Sequence, residues 1–90
     1  MYQIVEQEIV TQTIAEAYIA YSRFHDVYDM MTWLLARDPY PEEARQLSPG
    51  TYLVKSAAWD YDGFCVVTLI YTVVETPQII FLEDIRVTSV

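Results

Sequence analysis

Five basic side chains are available for phosphate or carboxylate chemistry in this chain: Arg23, Arg37, Arg45, Lys55 and Arg86. They are scattered, and thirteen acidic residues outweigh them, for a net charge of −8. Affinity for nucleic acid comes mainly from neutralising phosphates, so a basic run or face is its usual footprint. The chain has no basic run, and contact with RNA or a ribosome would work against the field of the whole protein. A basic patch has to assemble in space, from Lys55, Arg86 and one arginine.

The other reactive groups have structural readings. His25 is the sole histidine; Asp26 and Asp29 are its only local carboxylates, and its position between two helical runs accounts for it. Nothing marks Ser22 or Cys65 as an activated nucleophile. Cys65 lies in the most apolar segment and reads as a buried thiol suited to a reducing compartment. Asp60-Tyr61-Asp62-Gly63 lacks the length and terminal glutamate of a calcium loop and reads as a hairpin turn. Glu42-Glu43 reads as solvated surface. Glu83-Asp84 interrupts a strand whose alternation places Ile79, Phe81, Glu83, Ile85 and Val87 on one face, with Ile80, Leu82, Asp84 and Arg86 on the other. Asp84 and Arg86 then form an ion pair, worth about 0–1 kcal/mol if exposed. No metal ligand set and no cofactor motif emerges.

The elements that must position these groups follow from periodicity. Tyr2 to Val10 is β-prone and predicts a first strand. Thr13 and Glu16 have capping-box spacing, and Ile14, Ala17, Tyr18 and Tyr21 mark one face of a helix. Val27, Met30, Met31, Leu34 and Leu35 mark another, with Asp26 as N-cap and an end at Arg37-Asp38-Pro39. No glycine or proline separates the two runs, so one bent helix over 14–37 stands beside two helices, with the Asp26 signal favouring two. Pro39 to Gly50 reads as irregular. Thr51 to Trp59, Phe64 to Val74 and Ile79 to Val87 read as three strands joined by tight turns at Asp60–Gly63 and Glu75–Gln78. The expected fold is one α+β domain over residues 1–90, in the order β-α-α-β-β-β, with two N-terminal helices on one face of a mostly antiparallel four-stranded sheet.

Such a sheet leaves one face bare, and the 53% hydrophobic content is enough to make that face apolar. A second copy or a bound chain is expected to cover it. Eight tyrosines suit partly covered protein-contact surfaces better than base stacking, which needs cationic neighbours. The start MYQIVEQEIV lacks the basic region of a signal peptide, and the apolar run Phe64 to Val74 is short of the roughly 20 residues that span a membrane. A cytoplasmic protein is expected.

Several stretches carry a resemblance. Trp33-Leu34-Leu35-Ala36-Arg37-Asp38-Pro39 is followed by Leu47-Ser48-Pro49-Gly50-Thr51-Tyr52-Leu53-Val54-Lys55, then Val66-Val67-Thr68-Leu69-Ile70-Tyr71 and Ile79-Ile80-Phe81-Leu82. In element order and in these stretches, from about Ala15 to Val87, the chain resembles the RelE/ParE toxin superfamily of toxin–antitoxin systems. The resemblance implies a toxin that acts on translation, by cleaving mRNA on the ribosome, or on DNA gyrase, neutralised by an antitoxin wrapped over sheet and helices. It assigns Lys55 and Arg86 as catalytic candidates, on the strands where the family carries basic residues. Cations there would stabilise a phosphorane-like transition state, with an acid or base near the 2′-hydroxyl. Thr68 stands where the family's central strand carries arginine ahead of Tyr71, and Thr88-Ser89-Val90 offers no counterpart of the ribonucleases' C-terminal Tyr or His. The expectation is therefore a divergent toxin component, at most a remnant endoribonuclease. The alternative is a non-catalytic interaction domain on the same fold, homodimeric or bound to a partner through the apolar sheet face.

Overall fold

A buried stripe of Val10, Ile14 and Ala17, spaced four and three residues apart, defines the first helix. It runs from Glu8 to Ala20 (α1), after a short strand, Gln3–Glu6 (β1), in a computed structural model that describes residues 1–59 and 65–89. The first strand therefore stops well short of Val10. Val10 is fully buried, and its place in the helical stripe outweighs its β propensity. Thr13 lies inside α1 rather than capping it, its hydroxyl donating to the Ile9 carbonyl at 3.1 Å, and Gln7 holds the N-cap position without a side-chain bond.

The second helix, Phe24–Arg37 (α2), buries Phe24, Val27, Tyr28, Met31 and Leu35. Of the two readings of residues 14–37, two helices is correct. Arg23 breaks the chain with a left-handed backbone (φ 67°), a conformation that a continuous helix excludes. Asp26 is not the N-cap. It sits in the first turn, where its carboxylate accepts from Arg23 Nε at 2.8 Å and favours the positive end of the helix dipole.

Arg45–Ser48 (β2) and Thr51–Lys55 (β3) form a hairpin around Pro49-Gly50. Gly50 takes φ 82° there, which suits a residue without Cβ. A 3-10 turn follows at Ser56–Trp59, then Cys65–Val74 (β4) and Ile79–Ser89 (β5). The turn expected at Asp60–Gly63 lies outside the described residues. The order across the sheet is β1-β5-β4-β3-β2, with β1 parallel to β5 and the other pairs antiparallel. The sheet is thus five-stranded and mixed, not four-stranded. The added strand, β2, comes from the stretch read as irregular; all four of its residues are exposed, so no buried pattern announces it.

Along β4 burial alternates strictly: Cys65, Val67, Leu69 and Tyr71 are buried beneath the helices, and Val66, Thr68 and Ile70 are half-buried on the other face. In β5 the alternation shifts once. Ile70 pairs with Asp84 and Tyr71 with Leu82, so Glu83 is an extra residue in a β-bulge. Ile80, Leu82 and Ile85 consequently share the buried face, while Phe81, Asp84 and Arg86 share the other. The uninterrupted alternation expected for Ile79 to Val87, with Ile85 opposite Leu82, is corrected by this bulge.

One buried polar group supports the core. Ser56 is fully buried and its Oγ accepts from the Val67 amide at 2.9 Å. Ser56→Ala leaves that buried N–H unpaired, at a cost of about 1–3 kcal/mol. Urea denaturation should show a lower midpoint with an unchanged slope. Among the described residues, no helix is long and apolar enough to cross a membrane.

Candidate functional site

The sheet's pairing brings the two sequence-assigned cations together. Lys55 pairs with Thr68, and Thr68 pairs with Arg86. The three form one row across β3, β4 and β5, on the face away from the helices. Adjacent strands lie about 4.8 Å apart, so the Lys55 and Arg86 backbones are separated by roughly 10 Å. Leu53, Ile70 and Asp84 complete a shallow concavity of about 370 Å³ with this row. Leu53 also pairs with Arg45, which supplies the one further arginine of the basic patch. Three of the five basic residues therefore lie on one sheet face, although no two are neighbours in sequence.

The electrostatics of the row are those of an exposed surface. Arg86 Nε lies 3.8 Å from Asp84 Oδ2, with the two side chains 79% and 42% exposed. That is the ion pair expected from the strand pattern, stretched and open to water, and it contributes little to stability. Thr68 supplies a hydroxyl where a third cation would complete the row. Among the described residues the register places no histidine or tyrosine beside it, so their arrangement can hold an anion but offers no neutral acid for proton transfer. The rest of the face is apolar or hydroxylic: Thr51, Thr72, Phe81 and Val5 form the next full row. No described element packs on it.

The tyrosines lie elsewhere. Tyr52 and Tyr71 project to the helix side; Tyr71 is fully buried. Its hydroxyl donates to the Pro39 carbonyl at 2.9 Å, its ring stacks on Tyr52 at 5.7 Å, and Tyr52 meets Tyr40 edge-on at 5.4 Å. Tyr40 donates to Glu75 Oε2 at 2.5 Å, and Tyr2 donates to the same carboxylate. These bonds, Tyr2's first, hold the Glu75 carboxyl below the usual carboxylate range. The cluster ties the chain's start, the α2–β2 link and the β4–β5 turn together, a structural use that the sequence count did not reveal.

The remaining candidates are separated. His25 is half exposed, 3.3 Å from Asp26 and stacked on Tyr18, distant in the fold from the sheet row. Cys65 is buried, as expected, and burial pushes its thiol up. Among the described residues no group of three His, Cys, Asp or Glu converges as a metal site would require.

Comparison with known proteins adds no name to this geometry: no protein-family model matches the chain, and neither the curated proteins nor the solved structures contain a significant match.

Proposed function

We propose that this chain is a divergent RelE/ParE-type toxin component of a toxin–antitoxin pair, acting on translation or on DNA gyrase, with the uncovered sheet face as its working surface. The observation that carries this reading is the in-register row Lys55–Thr68–Arg86. Residues 31 positions apart in sequence are set side by side on the one sheet face that no helix covers. The order β-α-α followed by an antiparallel run of strands agrees with the resemblance carried by the Leu-Ser-Pro-Gly and Thr-Leu-Ile-Tyr stretches. Clustering three cations there gives an otherwise acidic protein one surface suited to an anionic target. The hydroxyl of Thr68 in place of a cation within the row, and the lack of an acid–base group beside it among the described residues, favour binding over rapid phosphodiester cleavage.

Inducible expression in bacteria tests the proposal. The wild type is expected to arrest growth, and Lys55→Ala with Arg86→Ala to relieve the arrest while circular dichroism stays unchanged. Normal growth on expression of the folded wild type would sink it.

A second reading is favoured by the Asp84–Arg86 pair and the apolar row beside it: a non-catalytic interaction domain whose open face binds another chain. In this reading the face buries Phe81, Val5 and Ile70 against a partner or a second copy. Sedimentation equilibrium separates the versions, because a monomer throughout the micromolar range would eliminate the homodimer.

A further inference from the structure

A second surface is independent of the basic row. Among the described residues β1 is an edge strand, paired only with β5. The amides of Gln3 and Gln7 donate to β5 or its preceding residue, at Gln78 and Leu82. In a parallel ladder the alternate residues point the other way, so the backbone groups of Ile4 and Glu6 face outward from the sheet. Tyr2, in the same phase, shows the direction: its amide donates to the Ala36 carbonyl at the end of α2, at 2.8 Å. Between this contact and the Tyr28–Glu6 bond, strand and helix flank a groove of about 770 Å³ whose walls include Ile4, Glu6, Tyr28, Asp29, Trp33 and Arg37.

The groove has a sign. Glu6 and Asp29 are its acids, and the Glu6 carboxylate is oriented by Tyr28 Oη at 2.6 Å and by Thr11 Oγ1 at 3.1 Å. Its one side-chain cation, Arg37, is engaged, with its guanidinium 3.6 Å over the Trp33 ring and Nη1 donating to the Trp33 carbonyl. Trp33 is nonetheless half exposed, so the groove offers an aromatic wall, two carboxylates and an unpaired strand edge side by side.

We infer that the β1 edge and this groove receive an extended segment of a partner protein, added as a sixth strand, with an apolar side chain against Trp33 and Ile4 and a lysine or arginine at Glu6 and Asp29. Strand addition supplies main-chain hydrogen bonds for affinity, while alternate side chains entering a flanking groove supply specificity. The charge of the groove selects a basic segment, whereas the opposite sheet face, with Arg45, Lys55 and Arg86, selects an acidic one. The two surfaces are distinct, and the occupancy of one does not depend on the toxin reading of the other.

A displayed library of random ten-residue peptides, selected on the whole protein, provides the probe. Enriched peptides are expected to alternate apolar residues with Lys or Arg. The tightest of them, made synthetically, should slow hydrogen exchange at the Ile4 and Glu6 amides and change Trp33 fluorescence. Methylating the peptide's alternate backbone nitrogens, or replacing Trp33 with alanine, should each weaken binding at least tenfold. Lys55→Ala with Arg86→Ala should leave it unchanged, which separates this surface from the basic row. The inference is overturned if no peptide is enriched, if enriched peptides are acidic, or if protection falls on β3 and β4 instead of β1. Binding that survives N-methylation would also overturn it, because that is charge attraction without a strand.

Discussion

Phe24→Ala is expected to remove a large share of this protein's stability. Phe24 opens α2 one residue after the left-handed Arg23 and is fully buried. Its ring meets Tyr18 of α1 edge-on and stacks on Tyr28 of its own helix, both at 5.7 Å. It is the aromatic that locks the two helices at their junction, where no proline stiffens the chain. Removing a buried aromatic ring costs about 3–5 kcal/mol in lost transfer energy and residual cavity. A domain of this length has roughly 5–13 kcal/mol of stability in total, so the loss is a large share of it. At about 4–8 °C per kcal/mol, the melting temperature should fall by at least ~12 °C. Phe24→Leu keeps most of the volume and should cost less than half as much. A thermal melt showing equal stability of the alanine variant and the wild type would mean that the helix junction does not carry the core.

That junction also shows what periodicity can and cannot reveal. The stripe Val27, Met31, Leu35 was legible because burial and helical spacing coincide there. The start of α2 was not, because the break is made by a backbone conformation at Arg23 that its side chain does not advertise. Val10 was misassigned for the opposite reason: a β-branched residue beside Ile9 reads as strand until the helix that buries it is known. β2 escaped notice because an edge strand with four exposed residues has no pattern to read, only hydrogen bonds. The bulge at Glu83 is the most consequential of these. A period of two, read without it, divides β5 wrongly after Leu82, yet still places Asp84 and Arg86 on one face because both lie on the same side of the extra residue. The Lys55–Arg86 juxtaposition needed strand register, which no local window contains.

The two faces of the sheet thus do different work with opposite charges. The helix side carries Tyr28, Tyr52 and Tyr71 and the Glu6 carboxylate under Tyr28, and is closed by packing. The open side holds three of the five cations on β2, β3 and β5 and is covered by no described element. A net charge of −8 describes neither face. Exclusion of nucleic acid on net charge alone averages over two surfaces that a partner would meet separately.

Alkaline titration should expose the tyrosine framework as the second large effect, and Tyr71→Phe should isolate its centre. Burial, the main cause, pushes the Tyr71 phenol well above its ordinary value of 10.0. Burial, and then the Glu6 carboxylate it donates to, does the same for Tyr28. A group whose proton is held more tightly in the folded state adds stability that is complete below its unfolded value and is lost as pH rises past it. The protein should therefore be indifferent to pH between about 7 and 9 as far as these phenols are concerned, and lose stability progressively above pH ~10. Tyr71→Phe removes the Tyr71 share of that alkaline slope. At neutral pH it exacts a separate cost, because the Pro39 carbonyl loses the buried hydroxyl that reaches it at 2.9 Å. Leaving such a carbonyl without a donor costs about 1–3 kcal/mol, and the α2–β2 link that carries Pro39 and Tyr40 should loosen with it. The variant is thus less stable than wild type at pH 7, and the difference narrows towards pH 11. Urea denaturation at the two pH values checks the narrowing; a gap that stays constant with pH would mean that Tyr71 ionises as freely in the folded protein as in the unfolded chain.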